Sequence, residues 1–240
     1  VLPQLTKIKG IALDLLFPRW CVGCGREGDF ICPECLKSLP RITPPLCPRC
    51  GQPQLNAVVC PVCVGWAASI DGIRAPFRFD GAIRQAIHEL KYNNLRAIAP
   101  LLGQWLADYL NTNPLPVEVL VPVPLHQKRL RERGYNQSRL LALELSRLSG
   151  LPLVDNCLVR ELHTTPQART NNVEERRRNV AEAFACRDRR LKDKKLLLID
   201  DVATSGATLD ACASALKESG ASSVWGLVLA KEIKETALGE

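Results

Sequence analysis

The chain has 240 residues, a formal net charge of +7, and 46% hydrophobic and 24% charged residues. That composition excludes a disordered chain and suits one ordinary domain with a small companion. No apolar run reaches the roughly 18 residues that a membrane span needs, so membrane insertion is not expected.

The charge is uneven. Arg160–Lys195 carries eleven basic and six acidic residues, and Lys128, Arg129, Arg131 and Arg133 form a second basic cluster. Such clusters are either solvated faces or contacts for a polyanion, whether a pyrophosphate-bearing small molecule or nucleic acid. Composition does not choose between them.

The first twenty residues, VLPQLTKIKGIALDLLFPRW, are mildly amphipathic and lack a continuous apolar core or a small-residue cleavage site. They predict a helix leading into the first cysteine pair, not a signal peptide, and hence a cytoplasmic protein. Eight of the eleven cysteines then follow as four Cys-x-x-Cys pairs: Cys21/Cys24, Cys32/Cys35, Cys47/Cys50 and Cys60/Cys63. Two thiolates three positions apart can ligate one ion from a single tight turn, and two such turns complete a tetrahedral sulfur site. Gly25 and Gly51 follow the first and third pairs, where a knuckle often needs positive φ. Pro33, Pro48 and Pro61 follow the first cysteine of the second, third and fourth pairs and preset φ there.

The repeat predicts two structural zinc sites, Cys21, Cys24, Cys32 and Cys35 in one and Cys47, Cys50, Cys60 and Cys63 in the other, with interleaved pairing as the alternative. A disulfide framework belongs to secreted chains, and a redox role fits poorly with four pairs repeating together. Both sites have four sulfurs and no open position, which indicates scaffolding. Few large apolar residues lie between them, so metal would supply much of the folding energy. Cys157, Cys186 and Cys212 stand alone and read as packing residues.

After Cys63 the pattern changes. Ala75–Asp80 alternates like a strand, and Gly81–Tyr92 and Leu95–Leu110 have helical spacing. Asn111–Pro116 is a turn, and Val117–Val123 a buried strand entering a loop. Gln137–Leu148 is an amphipathic helix ended by Gly150 and Pro152. Lys195–Ile199 is a short apolar strand, Ala207–Ser219 a helix closed by Gly220, and Ser223–Ala230 another strand. Apolar strands alternating with helices predict a mostly parallel α/β sheet covered on both faces.

The richest segment is Leu196–Leu209, LLLIDDVATSGATL. It runs from a buried strand through two carboxylates and a small-residue loop into a helix. The strand delivers the loop at its carboxyl end, where open α/β sheets bind ligands. Ala203, Ser205, Gly206 and Ala207 are small enough for main-chain amides to wrap a phosphate, and the helix dipole adds positive potential. Thr204, Ser205 and Thr208 add hydroxyl donors. Asp200 and Asp201 accept only when ionised, which suits ribose hydroxyls. Neither a Walker lysine nor a Gly-x-Gly-x-x-Gly string is present, so nucleotide triphosphate and dinucleotide folds lose ground.

This segment resembles the fingerprint of the type I phosphoribosyltransferases. The resemblance implies Asp200 and Asp201 at the ribose hydroxyls and Ala203–Thr208 at the 5-phosphate of 5-phosphoribosyl-1-pyrophosphate (PRPP), which binds with Mg²⁺. More widely, the chain resembles the ComF/GntX family, which joins a double zinc ribbon to a phosphoribosyltransferase-like domain. The carriers are the four cysteine pairs, Ala86–Tyr92 (AIHELKY), Val121–Gln137 (VPVPLHQKRLRERGYNQ), Thr165–Phe184 with Pro166, Gln167, Arg178, Asn179 and Phe184, and the PRPP loop.

That likeness implies a ribbon module over residues 1–67 and a PRPP-binding domain over 68–240, with a role in handling single-stranded DNA during natural transformation beside a helicase partner. It makes Val123–Arg133 the loop over the pyrophosphate, with Lys128, Arg129, Arg131 and Arg133 as charge partners. Thr164–Asn179 becomes a flap over PRPP. His126 either points at the site or is an ordinary hydrogen-bonded histidine, and His88 and Lys91 face the cleft.

An active enzyme of this kind would transfer phosphoribose to a nitrogen acceptor. The sequence identifies neither that acceptor nor a general base. The alternative is a non-catalytic PRPP-sensing adaptor that contacts single-stranded DNA or a helicase. A transcriptional regulator is a weaker third reading, since no helix-turn-helix stands out.

Overall fold

The computed structural model describes residues 19–161, 183–186 and 188–233. The expected N-terminal helix and the flap Thr164–Asn179, with Pro166, Gln167, Arg178 and Asn179, lie outside the described residues.

Two ribbon units come first, and they are built alike. Gly25 and Gly51 adopt φ of 74° and 70°, and their amides return to the carbonyls of Cys21 and Cys47 at 2.7 and 3.0 Å. The left-handed turn that closes each knuckle is the one only glycine enters without strain. Pro33 and Pro61 open the short helices α1 (Pro33–Lys37) and α2 (Pro61–Val64), where a residue without an N–H loses nothing.

The larger domain follows: β1 (Gly72–Arg74), β2 (Phe77–Arg78), α3 (Gly81–Tyr92), α4 (Ala99–Thr112), β3 (Val119–Pro122), α5 (Gln127–Arg133), α6 (Gln137–Ser149), β4 (Leu158–Arg160), β5 (Phe184–Cys186), β6 (Lys195–Ala203), α7 (Ala207–Glu218) and β7 (Ser223–Lys231). The main sheet has the order β1-β7-β6-β3, with β2 also beside β7. Its pairings are parallel, with Leu197 opposite Trp225, Asp200 opposite Val228 and Ala203 opposite Lys231. The expected α/β architecture behind a double ribbon is therefore the one observed.

Alternation along β6 divides the core. Leu196 and Leu198 join α7, β4, β5 and the cysteines of the second ribbon unit on one face. Leu197 and Ile199 join α3, α4 and α6 on the other, together with Ile31 and Leu39 of the first unit. Each ribbon unit is thus continuous with a different face of the sheet.

Four expectations change in detail. Ala75–Asp80 is not one strand, because Pro76, which has no N–H for a ladder, separates β1 from β2. The helix expected from Leu95 opens as a 3₁₀ turn at Arg96–Ile98, and its α-helical part starts at Ala99 with a proline in its first turn. The expected loop Val123–Arg133 contains α5. Finally, β6 runs past Ile199 through both aspartates to Ala203, because β7 continues beside it. The antiparallel pair β4–β5 was not foreseen.

Candidate functional site

The thiols meet in two groups: Cys21, Cys24, Cys32 and Cys35, and Cys47, Cys50, Cys60 and Cys63. Within each group all four sulfurs lie within 4.8 Å of one another. Four thiolates at about 2.3 Å from a tetrahedral zinc stand about 3.8 Å apart. The Cys24–Cys32 and Cys50–Cys60 sulfurs are 3.6 and 3.7 Å apart. The amides of Cys32 and Cys60 point at the sulfurs of Cys21 and Cys47, each at 3.3 Å, which steadies a thiolate. These residues fit structural Zn²⁺, paired first with second and third with fourth. Cys157 and Cys212 are buried packing residues, and burial pushes the Cys157 thiol up to about 12.

The acidic pair closes the other end of the story. β3 ends at Pro122 opposite Ile199, so beyond that point β6 has a neighbour only on the β7 side. Asp200 is half-buried, and its Oδ1 accepts from the Ser138 hydroxyl at 2.7 Å and the Asp201 amide at 2.9 Å. Asp201 is 3% exposed. Its Oδ1 lies 2.9 Å from the Lys91 ammonium, while its Oδ2 is buried with no hydrogen-bond partner. Burial and the neighbouring Asp201 raise the Asp200 carboxyl to about 7, against the pull of Lys91 and Ser138.

Next along the chain, only Thr204–Gly206 separate β6 from α7. Gly206 sits at φ 79°, and the Ser205 hydroxyl accepts from the Ala207 amide at 3.4 Å. Among the described residues, the amides of Thr204, Ser205 and Gly206 donate no hydrogen bond. A short loop with open amides at a helix N-terminus can receive an anion.

Helical spacing sorts the basic candidates. Arg129 and Arg133, four apart on α5, are partly buried and line a cavity of about 440 Å³ with Lys91, Tyr92, Asn94, Glu132 and Tyr135. Lys128 and Arg131 are exposed on the other side of the helix. His126 is a helix cap, its Nδ1 accepting from the Lys128 amide at 3.2 Å. His88 packs its ring 4.8 Å from Tyr92.

Three residues of the neighbourhood escaped sequence reasoning. Ser138 is hidden as an ordinary helix-start residue. Arg160, on β4, feels the charges of both Arg129 and Asp200, but it comes from a three-residue strand with no motif. Lys231 is 4% exposed, yet its sequence setting is only the end of an apolar run.

The double zinc ribbon domain family matches residues 12–64. Competence protein ComFC of Bacillus subtilis is 32% identical over 206 residues, covering 81% of this chain and 81% of that protein. Competence protein F of Haemophilus influenzae is 32% identical over 210 residues, covering 83% and 90%. DNA utilization protein YhgH of Escherichia coli is 29% identical over 201 residues, covering 81% and 87%. Among solved structures, a purine phosphoribosyltransferase from Pyrococcus horikoshii overlaps 54% of this chain and 70% of its own, with 21% identity and a TM-score of 0.34.

The raised Asp200 carboxyl has a measurable consequence. Its unfolded form loses the proton near 4 and its folded form near 7, so the fold loses stability as pH rises through that window. Asp200→Asn removes the charge and keeps an acceptor for Ser138. Its melting temperature should exceed that of wild type at pH 8, and the gap should close as pH falls toward 4. A gap of equal size at both ends would contradict the burial account.

Proposed function

Because this chain belongs to the ComF family of competence proteins, we propose that its α/β domain is a PRPP site serving DNA uptake in the cytoplasm. The observation that carries this reading is the joining of three features at one end of the sheet. The cavity lined by Lys91, Arg129 and Arg133 meets the acidic pair through the Lys91–Asp201 contact. The open amides of Thr204–Gly206 follow directly on the same strand.

Each part has a chemical task. The amides of Thr204, Ser205 and Gly206, with the hydroxyls of Thr204 and Thr208, hold the 5-phosphate, and Ala203 and Ala207 leave room for it. Asp200, the more open of the two acids, accepts from the ribose hydroxyls. Asp201 takes part by turning from Lys91 toward the sugar. Lys91, Arg129 and Arg133 then face the pyrophosphate, with Lys128 and Arg131 adding long-range attraction from the far side of α5. Bound Mg²⁺ adds positive charge against the same oxygens.

In the transferase reaction a nitrogen acceptor forms a bond to the anomeric carbon as the bond to pyrophosphate breaks, and the acceptor gives up its proton. Cations fixed beforehand around the departing group stabilise the charge it gains, and holding both reactants in place supplies much of the rate. Calorimetric titration of PRPP with Mg²⁺ tests the site. Wild type should bind, and the Asp200→Asn/Asp201→Asn variant should lose at least about tenfold in affinity with its fold intact. Equal affinity in both would remove the aspartates from the site.

One observation favours the second reading, an adaptor that senses PRPP and holds single-stranded DNA or a helicase. Tyr92 is 67% exposed at the rim of the cavity, between the His88 ring at 4.8 Å and the Arg133 guanidinium at 5.5 Å. An exposed ring among cations is a stacking platform for a base, worth about 1–3 kcal/mol per base. Tyr92→Ala should weaken binding of a labelled oligothymidine about tenfold in low-salt anisotropy measurements. Unchanged binding, or none in wild type, would remove the DNA part of this reading.

A further inference from the structure

Lys231 is the last residue of β7 and one of the few charged residues in the interior, 4% exposed. No carboxylate pairs with it among the described residues. Its ammonium instead faces the Thr204 carbonyl at 3.4 Å. An isolated ammonium is costly to bury, and some negative charge must offset it.

The second cysteine group lies close enough to contribute it. Cys47, Cys50, Cys60 and Cys63 all act on the Lys231 ammonium, pulling against the burial that lowers its pKa. Four thiolates around one divalent zinc leave a net negative charge on the centre, the sign of charge that a buried ammonium needs.

The consequence lies in peptide geometry. In a trans peptide the carbonyl of one residue and the amide of the next point in opposite directions. A lysine that draws the Thr204 carbonyl inward therefore turns the Ser205 amide outward, toward the side where an anion would lie.

The same unit grips the loop in two further places. Trp66, three residues after Cys63, and Ile73 of β1 pack over Gly206 so closely that an added Cβ would meet them at 3.3 and 2.8 Å. Asp210, in the first turn of α7, accepts from the amides of Ser69 and Ile70 at 2.7 and 3.0 Å and from the Trp66 indole at 3.3 Å. The knuckle itself is tied to β1, since the Ile73 amide donates to the Arg49 carbonyl at 2.7 Å. The first unit makes none of these contacts among the described residues. It approaches α3, where an added Cβ on Gly23 would meet Ala82 at 2.9 Å.

We infer that the second ribbon unit, through Trp66, Ile73 and the bonds to Asp210, is a positioning element of the loop Thr204–Thr208, while the first unit is not. This rests on the reading that the loop holds the phosphate of PRPP. The second ribbon unit and the phosphate loop are then one device: metal in the second centre orders the unit that holds the loop, and its loss slackens the cradle.

Hydrogen exchange of the Asp210 amide, which donates to the Gly206 carbonyl at 2.9 Å, and calorimetry with Mg²⁺ and PRPP, both on the full chain, test this. Lys231→Met and Cys60→Ser/Cys63→Ser should raise exchange of that amide about tenfold and weaken PRPP by a similar factor, with β3 and α6 unchanged. Cys32→Ser/Cys35→Ser should leave loop and affinity as in wild type.

Should the second-centre cysteine variant not fold, Lys231→Met decides, since it keeps every cysteine. Should that variant also fail, Trp66→Leu decides by exchange of the Asp210 amide alone. Wild-type exchange in the folded second-unit variants would overturn the inference, as would equal loosening in the first-centre control. A wild type that fails to bind PRPP would sink the ligand reading, and the exchange comparison would still stand on its own.

Discussion

Two adjacent carboxylates at the end of a buried strand are the constraint around which this molecule is arranged. Ionised side by side in an apolar sheet they repel, and each needs an outside partner. Asp201 finds Lys91 on α3, and Asp200 finds Ser138 on α6 while its carboxyl is pushed up to about 7. Nothing in the fold itself needs that charge, and an apolar pair would pack there at lower cost. Such a cost is a feature of ligand sites, and it is the reason the proposed sugar site is placed here.

The elements around the pair follow from it. β3 stops one residue short of Asp200, which clears space above the strand end. The i, i+4 arginines of α5 and the lysine of α3 then bring positive charge to that space from two different elements. The ribbon, short of apolar bulk, draws its order from sulfur and metal. Its second unit is nevertheless fused to the same core as α7, so its stability and the geometry of the loop are shared.

Much of this was legible in the chain. The cysteine spacing marked both metal groups, because two turns with fixed spacing leave few ways to build a tetrahedron. LLLIDDVATSGATL marked the strand, acids, loop and helix in order, because each part is a local preference. Other features were hidden for physical reasons. Gln127–Arg133 has a single apolar residue, Leu130, and so no apolar period, and α5 read as loop. β4 and β5 are three residues each and exist only by pairing with one another. The charge that Lys231 feels comes from cysteines 168 to 184 positions earlier in the chain, and the Lys91–Asp201 pair joins two elements that no motif links. Local chemistry was readable, and the partners that meet through folding were not.

The most direct measurement is a crystal structure of the full chain grown with PRPP and Mg²⁺. The account predicts the 5-phosphate against the amides of Thr204–Gly206, the ribose hydroxyls at Asp200, and the pyrophosphate beside Arg129 and Arg133, with Lys91 drawn away from Asp201. A sugar-phosphate bound elsewhere, or a loop empty at saturating ligand with the Lys91–Asp201 contact intact, would contradict it.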